Sequence, residues 1–379
     1  MGLFSRGTPT QVCGLAFCEF GLRAQMMNCE TREVDQPLDT DFVPLVDNAN
    51  LNRFDGLAET IEALFTGGTP LLEFSGGATG DGRLRLSTGF DTELEHVAQQ
   101  ARTMDGYSDE AVIGVPVEFD KTARDTLRQR IENCGFGVQQ VVSNDVGYAL
   151  LGATEYEVEN GGADHPVVVV DMSIQSTTVT LAEVDTDQDR VTDRGRTTAN
   201  LGVATVLYDI VASALIEAGM KKSDLNWGLV SQMFDEARHV LDPEVNTTRG
   251  TIQLNGERFA LELGETHWSR PVVELMEHTE AVATALIQES EFIPEDMHQV
   301  LISGFGSEGP AGFELVEHIA AQFVRDDAKA RQAGNRYGPD RVVYGNMMTP
   351  DMGAADVARV AHDDGSRLDV LEPLDITTD

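Results

Sequence analysis

Three patterns in this chain hold residue types that could do chemistry, and each implies a different chemistry. Gly304, Gly306 and Gly309 lie in QVLISGFGSEGPAGFELVEHI, which runs from an apolar strand pattern into an amphipathic helix pattern. Their G-x-G-x-x-G spacing removes side chains where a phosphate would approach backbone N–H groups at a helix start. Asp326 and Asp327 follow where a ribose-binding acid is expected. Read literally, this is a dinucleotide site and the chain an NAD-dependent oxidoreductase. Too few residues follow, however, for the further strand-helix units that a doubly wound domain needs, and that reading ranks behind those below. Acids alternate through DTDQDRVTDRG, residues 185 to 195, like the ligands of a calcium loop. Arg190 stands where that loop needs glycine and Arg196 where it needs a bidentate glutamate, so the stretch reads as a solvated turn between strands. Cys13, Cys18, Cys29 and Cys134 show no C-x-x-C spacing, and the eight histidines are scattered. Buried thiols are expected rather than a zinc site or a disulfide framework.

The charge balance narrows the partners. Against 64 acids stand 27 basic residues, for a formal charge of -37 spread along the chain, and only Lys121, Lys221, Lys222 and Lys329 are lysines. Such a surface repels nucleic acid and anionic membrane. The composition looks like that of proteins from salt-accumulating cells. At about 1 M salt the screening length falls to roughly 3 Å, which quenches the self-repulsion. No apolar window is long enough to span a bilayer and MGLFSRG lacks the apolar core of a signal peptide, so no integral membrane segment and a cytoplasmic location are expected.

The elements that must position these residues come in two similar series. TQVCGLAF, LRAQMMN, PLLEF and RLRLS read as a strand meander, TELEHVAQQART as a helix, AVIGVPVEF as a strand, TARDTLRQRIENC as a helix and GVQQVVS as a strand. After the helical NDVGYALLGA and the polar TEYEVENGGADH, the chain starts again. PVVVVDMSI, STTVTLAEV and DRVTDRGRTT form a second meander, followed by helices from Gly202 and Leu229. A hairpin turns at Asn255-Gly256, which supply the positive backbone angles of a tight turn. A long helix from Pro271, the strand QVLISG and its helix complete the series. Meander then alternating units, twice over, predicts two related α/β lobes around a central cleft.

The order of these segments resembles the superfamily of actins, sugar kinases and heat-shock chaperone ATPases, and in particular the chaperone ATPase domain. AVIGVPVEFDKTARDTLRQRIENCGF is similar to the chaperone strand ending in Val-Pro and the helix after it. VVSNDVGYALLGA looks like the first connecting helix, with Asn144, Asp145 and Val146 at its Asn-Glu-Pro opening. VVVVDMSIQSTTVTLAEV resembles the second phosphate hairpin, with Asp171 at the acidic position, and NLGVATVLYD the Gly-Gly segment, with Gly202 at the second glycine. FDEARHVL is similar to the adenosine-contacting helix, matched at Asp235, Arg238 and Asp242. LISGFGSEGP resembles the adenosine loop and TPDMGAADVARVA the second connecting helix.

The resemblance implies an α/β, two-lobed actin-like ATPase fold, that is, duplicated ribonuclease H-like domains around a nucleotide cleft. Residues 1–165 would form the first lobe, with helix 350–362 returning to it, residues 166–349 the second lobe and residues 363–379 an acidic tail. ATP or ADP with magnesium is the implied cofactor. Gly202, Asp235, Arg238, Asp242, Gly304, Gly306 and Ser307 would bind the nucleotide, Asp171 would hold magnesium, and Asp145 would orient the attacking water. Gly147, Ala149 and Gly152 in one connecting helix and Gly353, Ala354, Ala355 and Ala358 in the other would let the two helices cross closely, as a hinge does. The sequence departs from the family at the first phosphate loop, where GLAFCEFGLRAQ has Ala16 at the aspartate position and Cys18 at the glycine. Glu19 or the backbone near Gly21 is left to compensate there. Ser173, Ile174 and Gln175 likewise replace the glycine run of the second hairpin. Hydrolysis is therefore an open expectation.

A short first lobe and the acidic composition make the chain most similar to haloarchaeal actin homologues of the salactin or volactin type. The implied function is a cytoskeletal protein that binds ATP and polymerises with itself, head to tail, in high salt. The alternative is a chaperone-like nucleotide-binding regulatory protein with an unknown regulatory partner, because RLDVLEPLD resembles the chaperone interdomain linker. A sugar kinase would need an Asp-, Asn- and His-rich pocket that the sequence does not display.

Overall fold

The structure is a computed structural model that describes residues 11–18, 21–31, 34–35, 43–44, 90–103, 107–117, 119, 121–160, 164–172, 176–199, 201–230, 233, 247–254, 257–289, 299–303, 342–344, 350–364 and 369–371. The strands expected at PLLEF and RLRLS lie outside them. β1 (Gln11–Cys18) and β2 (Gly21–Asn28) form an antiparallel hairpin, and the short β3 (Val34–Asp35) and β4 (Val43–Pro44) both pair with β2. After α1 (Phe90–Thr103), β5 (Tyr107–Val115) joins the other side of β1 in parallel. α2 (Lys121–Asn133) then leads to β6 (Gly137–Ser143), parallel to β5, for a strand order of β3-β2-β1-β5-β6.

α3 (Asn144–Asn160) follows β6 directly, and the same construction is repeated. β7 (Asp164–Met172), β8 (Thr177–Asp185) and β9 (Arg190–Ala199) form an antiparallel meander. Between this meander and the next strand of its sheet come α4 (Val203–Glu217), α5 (Trp227–Val230), the hairpin of β10 (Thr247–Leu254) and β11 (Glu257–Gly264), and α6 (Glu265–Glu289). β12 (Gln299–Ser303) adds in parallel to β7, and β13 (Val342–Tyr344) in parallel to β12. The order β9-β8-β7-β12-β13 is thus the order of the first sheet over again. α7 (Pro350–Asp364) and β14 (Asp369–Leu371) close the described chain, with β14 parallel to β9 at the sheet edge.

Period-two alternation puts each strand into two cores. In β7, Val168, Val170 and Met172 face a cluster with α4, α6 and the apolar side of the β10–β11 hairpin, while Val167 and Val169 face the opposite cluster. A strand buried on both faces reads as a near-continuous apolar run, and PVVVV within β7 is one. In β1, Cys13 and Leu15 pack with α1 and α2, whereas Val12 turns the other way. The shared middle cluster holds residues of both sheets together with α3 and α7, so these two helices lie between the sheets, α7 against β1, β2 and β5 and α3 against β7, β8 and β12. They cross where neither has a side chain. A Cβ built on Gly353 would fall 2.7 Å from the carbonyl carbon of Gly147, and one built on Gly147 would fall 3.0 Å from that of Gly353.

Three elements differ from expectation. α3 runs on through TEYEVEN, because those residues are acceptable helix formers and no Gly or Pro stops them before Gly161. α6 begins at Glu265, six residues before the expected start, with Pro271 inside it. His267 helps to hold that entry, its Nδ1 accepting from the Gly264 N–H at 3.2 Å and its Nε2 lying 3.1 Å from Glu217 Oε2. Residues 369–371, expected within an acidic tail, form β14, and Val370 packs against the middle core. The β10–β11 hairpin is as expected, since Leu254 pairs with Glu257 and only Asn255 and Gly256 connect them.

Candidate functional site

Strand direction decides which of the predicted site residues meet. β7 and β12 are parallel neighbours, so their last residues come together, Asp171 in register with Ser303. β8 is antiparallel to β7, and Asp171 stands opposite Thr178. Thr178 and Thr198 of β9 share a hydroxyl contact at 3.0 Å, and the Thr177 hydroxyl donates to the Leu201 carbonyl at 2.8 Å. That bond seats the entry to α4, whose first-turn carbonyl acceptor is the buried Gly202 in extended backbone (φ -124°, ψ -179°) with no capping side chain. Asp171, Gly202 and the strand end that leads into Gly304 therefore share one edge of the second sheet. Asp235, Arg238, Asp242, Gly304, Gly306 and Ser307 lie outside the described residues.

This edge offers a half-buried carboxylate, several hydroxyls and a fifteen-residue helix whose first N–H groups are uncapped by any side chain. Hydroxyls and helix-start N–H groups suit phosphate oxygens. Among the described residues no cluster of three or more His, Cys, Asp or Glu could hold a metal by itself. Asp171 alone fits a magnesium ion that keeps its waters and is shared with phosphate, the usual pattern for that ion.

Asp145 is in a different situation. It opens α3 directly after β6, is fully buried, and both its oxygens face protein donors. Thr180 donates its hydroxyl to Oδ2 at 2.7 Å, the Arg196 Nη2 lies 2.7 Å from the same oxygen, and the Val146 N–H donates to Oδ1 at 3.0 Å. Arg196 also reaches Asp193 Oδ2 at 3.1 Å, while Asp193 Oδ1 accepts from the Gly195 N–H. Burial pushes the Asp145 carboxyl up, but the Arg196 guanidinium and the hydroxyls of Ser143 and Thr180 outweigh it and hold it below the usual carboxylate range. In this structure Asp145 is the buried counter-ion of Arg196 rather than an acid open to a cleft. Local spacing marks Arg196 only as a fault in a calcium loop. Its partners arise only from the register that sets Thr180 opposite Arg196 and from the return of α3, neither of which local spacing can display.

The matching edge of the first sheet is packed with small groups. Ala16 is fully buried, and a Cβ on Gly114 would meet the Asn144 Oδ1 at 2.6 Å, the Ala16 Cβ at 3.5 Å and the Ala354 Cβ at 3.6 Å. The other chemical signals have bland outcomes. Thr186–Asp189 is the turn between β8 and β9, where Asp185 accepts from the Gln188 N–H at 3.0 Å and pairs with Arg190 at 3.1 Å, so those acids serve the hairpin. Cys13 and Cys134 are buried thiols and Cys29 is a half-buried one, none of them in a disulfide.

Fold and site define a mixed α/β protein built on two mixed sheets of one strand order, with a polar edge on the second. No protein-family model matches the chain, and no curated protein matches it either. Among the described residues no helix is long and apolar enough to cross a membrane.

Proposed function

We propose that the chain is a two-lobed nucleotide-binding protein of the actin type, which binds ATP with magnesium between its sheets and assembles with itself into head-to-tail filaments. The observation that carries this reading is the repeated strand order, each sheet a meander extended by two parallel strands, with α3 and α7 crossing between them at Gly147 and Gly353. Two like sheets joined through a side-chain-free crossing suit a protein whose halves close on a ligand. The edge has the Asp171 carboxylate for magnesium and, after Gly202, helix-start N–H groups without a capping side chain for phosphate oxygens. A heterologous contact repeated without closure gives an open filament. At a charge of -37 per subunit, that assembly needs concentrated salt to quench repulsion. Its setting is then a salt-rich cytoplasm. Hydrolysis coupled to filament turnover is part of the proposal only so far as a group other than Asp145, which Arg196 occupies, orients the attacking water.

A second reading, a chaperone-like regulatory protein, is favoured by β14. Residues 369–371, within the segment that resembles the chaperone linker, pair with the edge of the second sheet. Sedimentation and electron microscopy in multimolar potassium chloride separate the two readings. The protein should pellet with ATP and magnesium above a critical concentration and show regular filaments. A monodisperse monomer that binds ATP under every condition would favour the regulatory protein.

A further inference from the structure

The buried cluster around Arg196 belongs to neither phosphate chemistry nor either outer core, and its members come from both sides of the molecule. Ser143 ends β6 of the first sheet and Asp145 opens α3, whereas Thr180 lies on β8, and Asp193 and Arg196 on β9, of the second. The Arg196 side chain is 7 % exposed and that of Asp145 0 %, so water cannot substitute for the contact. Two residues further along α3, at Gly147, the contact with α7 is of another kind. The contact there is backbone on backbone at Gly147 and Gly353, neither of which has a side chain to interlock.

We propose that Arg196 is a lock that fastens the first turn of α3 to the β8–β9 hairpin, so that the end of β6 moves with the second sheet and relative motion of the sheets is taken up at the Gly147–Gly353 crossing. The pieces have the right properties for each part. The Arg196 Nη2 reaches both Asp145 and Asp193 while its Nε is directed at the Thr180 hydroxyl at 3.4 Å, so the rigid, planar guanidinium spans a carboxylate pair and a strand hydroxyl that the single nitrogen of a lysine would not span. Thr180 keeps the same carboxylate oxygen in place by a second bond, at 2.7 Å. The crossing, by contrast, has close approach without interdigitation. A consequence follows for any ligand seated at the Asp171 edge. Displacement of β8 there is handed to Ser143 and β6 through Arg196, which makes the lock a path between the two sheets. The lock itself stands on geometry and does not depend on nucleotide binding, so its failure and the failure of the proposed function are separately visible.

Hydrogen exchange of the full chain, without added nucleotide, tests it. Asp145→Asn keeps the side-chain size and leaves Arg196 its Asp193 partner, so no buried cation is stranded. Arg196→Lys keeps the charge and removes the planar guanidinium. In the parent, the amides of 144–150 should exchange as slowly as those of 177–185. In either variant they should exchange at least about tenfold faster, by local opening of that turn, while 177–185 and 107–115 hold their protection. Equal acceleration of all three segments would mean that the pair contributes only global stability, and no change in 144–150 would mean that the helix start is held by packing alone. Either result overturns the proposal, as does failure of both variants to fold.

Discussion

The two sheets share a strand order and differ at the edge where their parallel strands end. On the first, Ala16, Gly114 and Ala354 fill the space beside Asn144 with hydrogen and methyl groups. On the second, Asp171, Thr177 and Thr178 supply a carboxylate and hydroxyls, beside the start of α4 at Gly202. One frame therefore supports two chemistries, because the frame is set by strand direction and buried alternation while the edge is set by a few residues that the cores do not constrain. On the proposed reading, ligand contact would fall chiefly to the second sheet.

The largest effect should come from the element that joins the two. Arg196→Met leaves Asp145 and Asp193 buried without their cation, and breaking a buried pair from one side destabilises by about 3–5 kcal/mol. Denaturant unfolding should show this loss undiminished in multimolar salt, since a buried pair is screened far less than the acidic surface. A loss that vanished with salt would make Arg196 a surface charge in effect.

Next in size is the crossing. Gly353→Ala would press its methyl group onto Gly147 backbone, which cannot swing aside, and overpacking of this kind destabilises by about 1–3 kcal/mol. A matching change at Gly219, which has a positive φ but open space around it, should act on its own helix end only. If Gly353→Ala were neutral, the helices would be further apart than described and the hinge would lose its basis.

The smallest effect is one of pH. The Asp145 carboxyl is held below its ordinary value of 3.8, so its contribution to stability is complete above that value and is lost as the pH falls through the lower folded value. Unfolding free energy followed into acid should therefore fall less steeply for Asp145→Asn than for the parent. Identical slopes would indicate that the carboxylate is not ionised in the folded protein.

How far the sequence disclosed all this follows from the range of the interactions involved. The first two strands of the first meander, the second meander, the hairpin at Asn255-Gly256 and the apolar β7 are local patterns, legible in the residues. The start of α6 was not, because Pro271 reads as a helix start while His267, three residues beyond Gly264, helps to secure an earlier one. Residues 369–371 have the local pattern of an acidic tail, since a three-residue strand depends on the edge it finds at β9. At the site, the position of Asp171 at a strand end was readable, but the neighbourhood of Asp145 was not. A buried aspartate at a helix start has the same local pattern whether a water or an arginine fifty-one positions away completes it.

The account turns on one claim, that a nucleotide sits against the edge of the second sheet. Hydrogen exchange of the full chain in multimolar potassium chloride, with and without ATP and magnesium, tests it most directly. The account predicts slowed exchange in the segments around Asp171, Thr177–Thr178 and Gly202, with little change in α1 and α2 on the far side of the first sheet. Exchange at that edge unaltered by saturating ATP would contradict it.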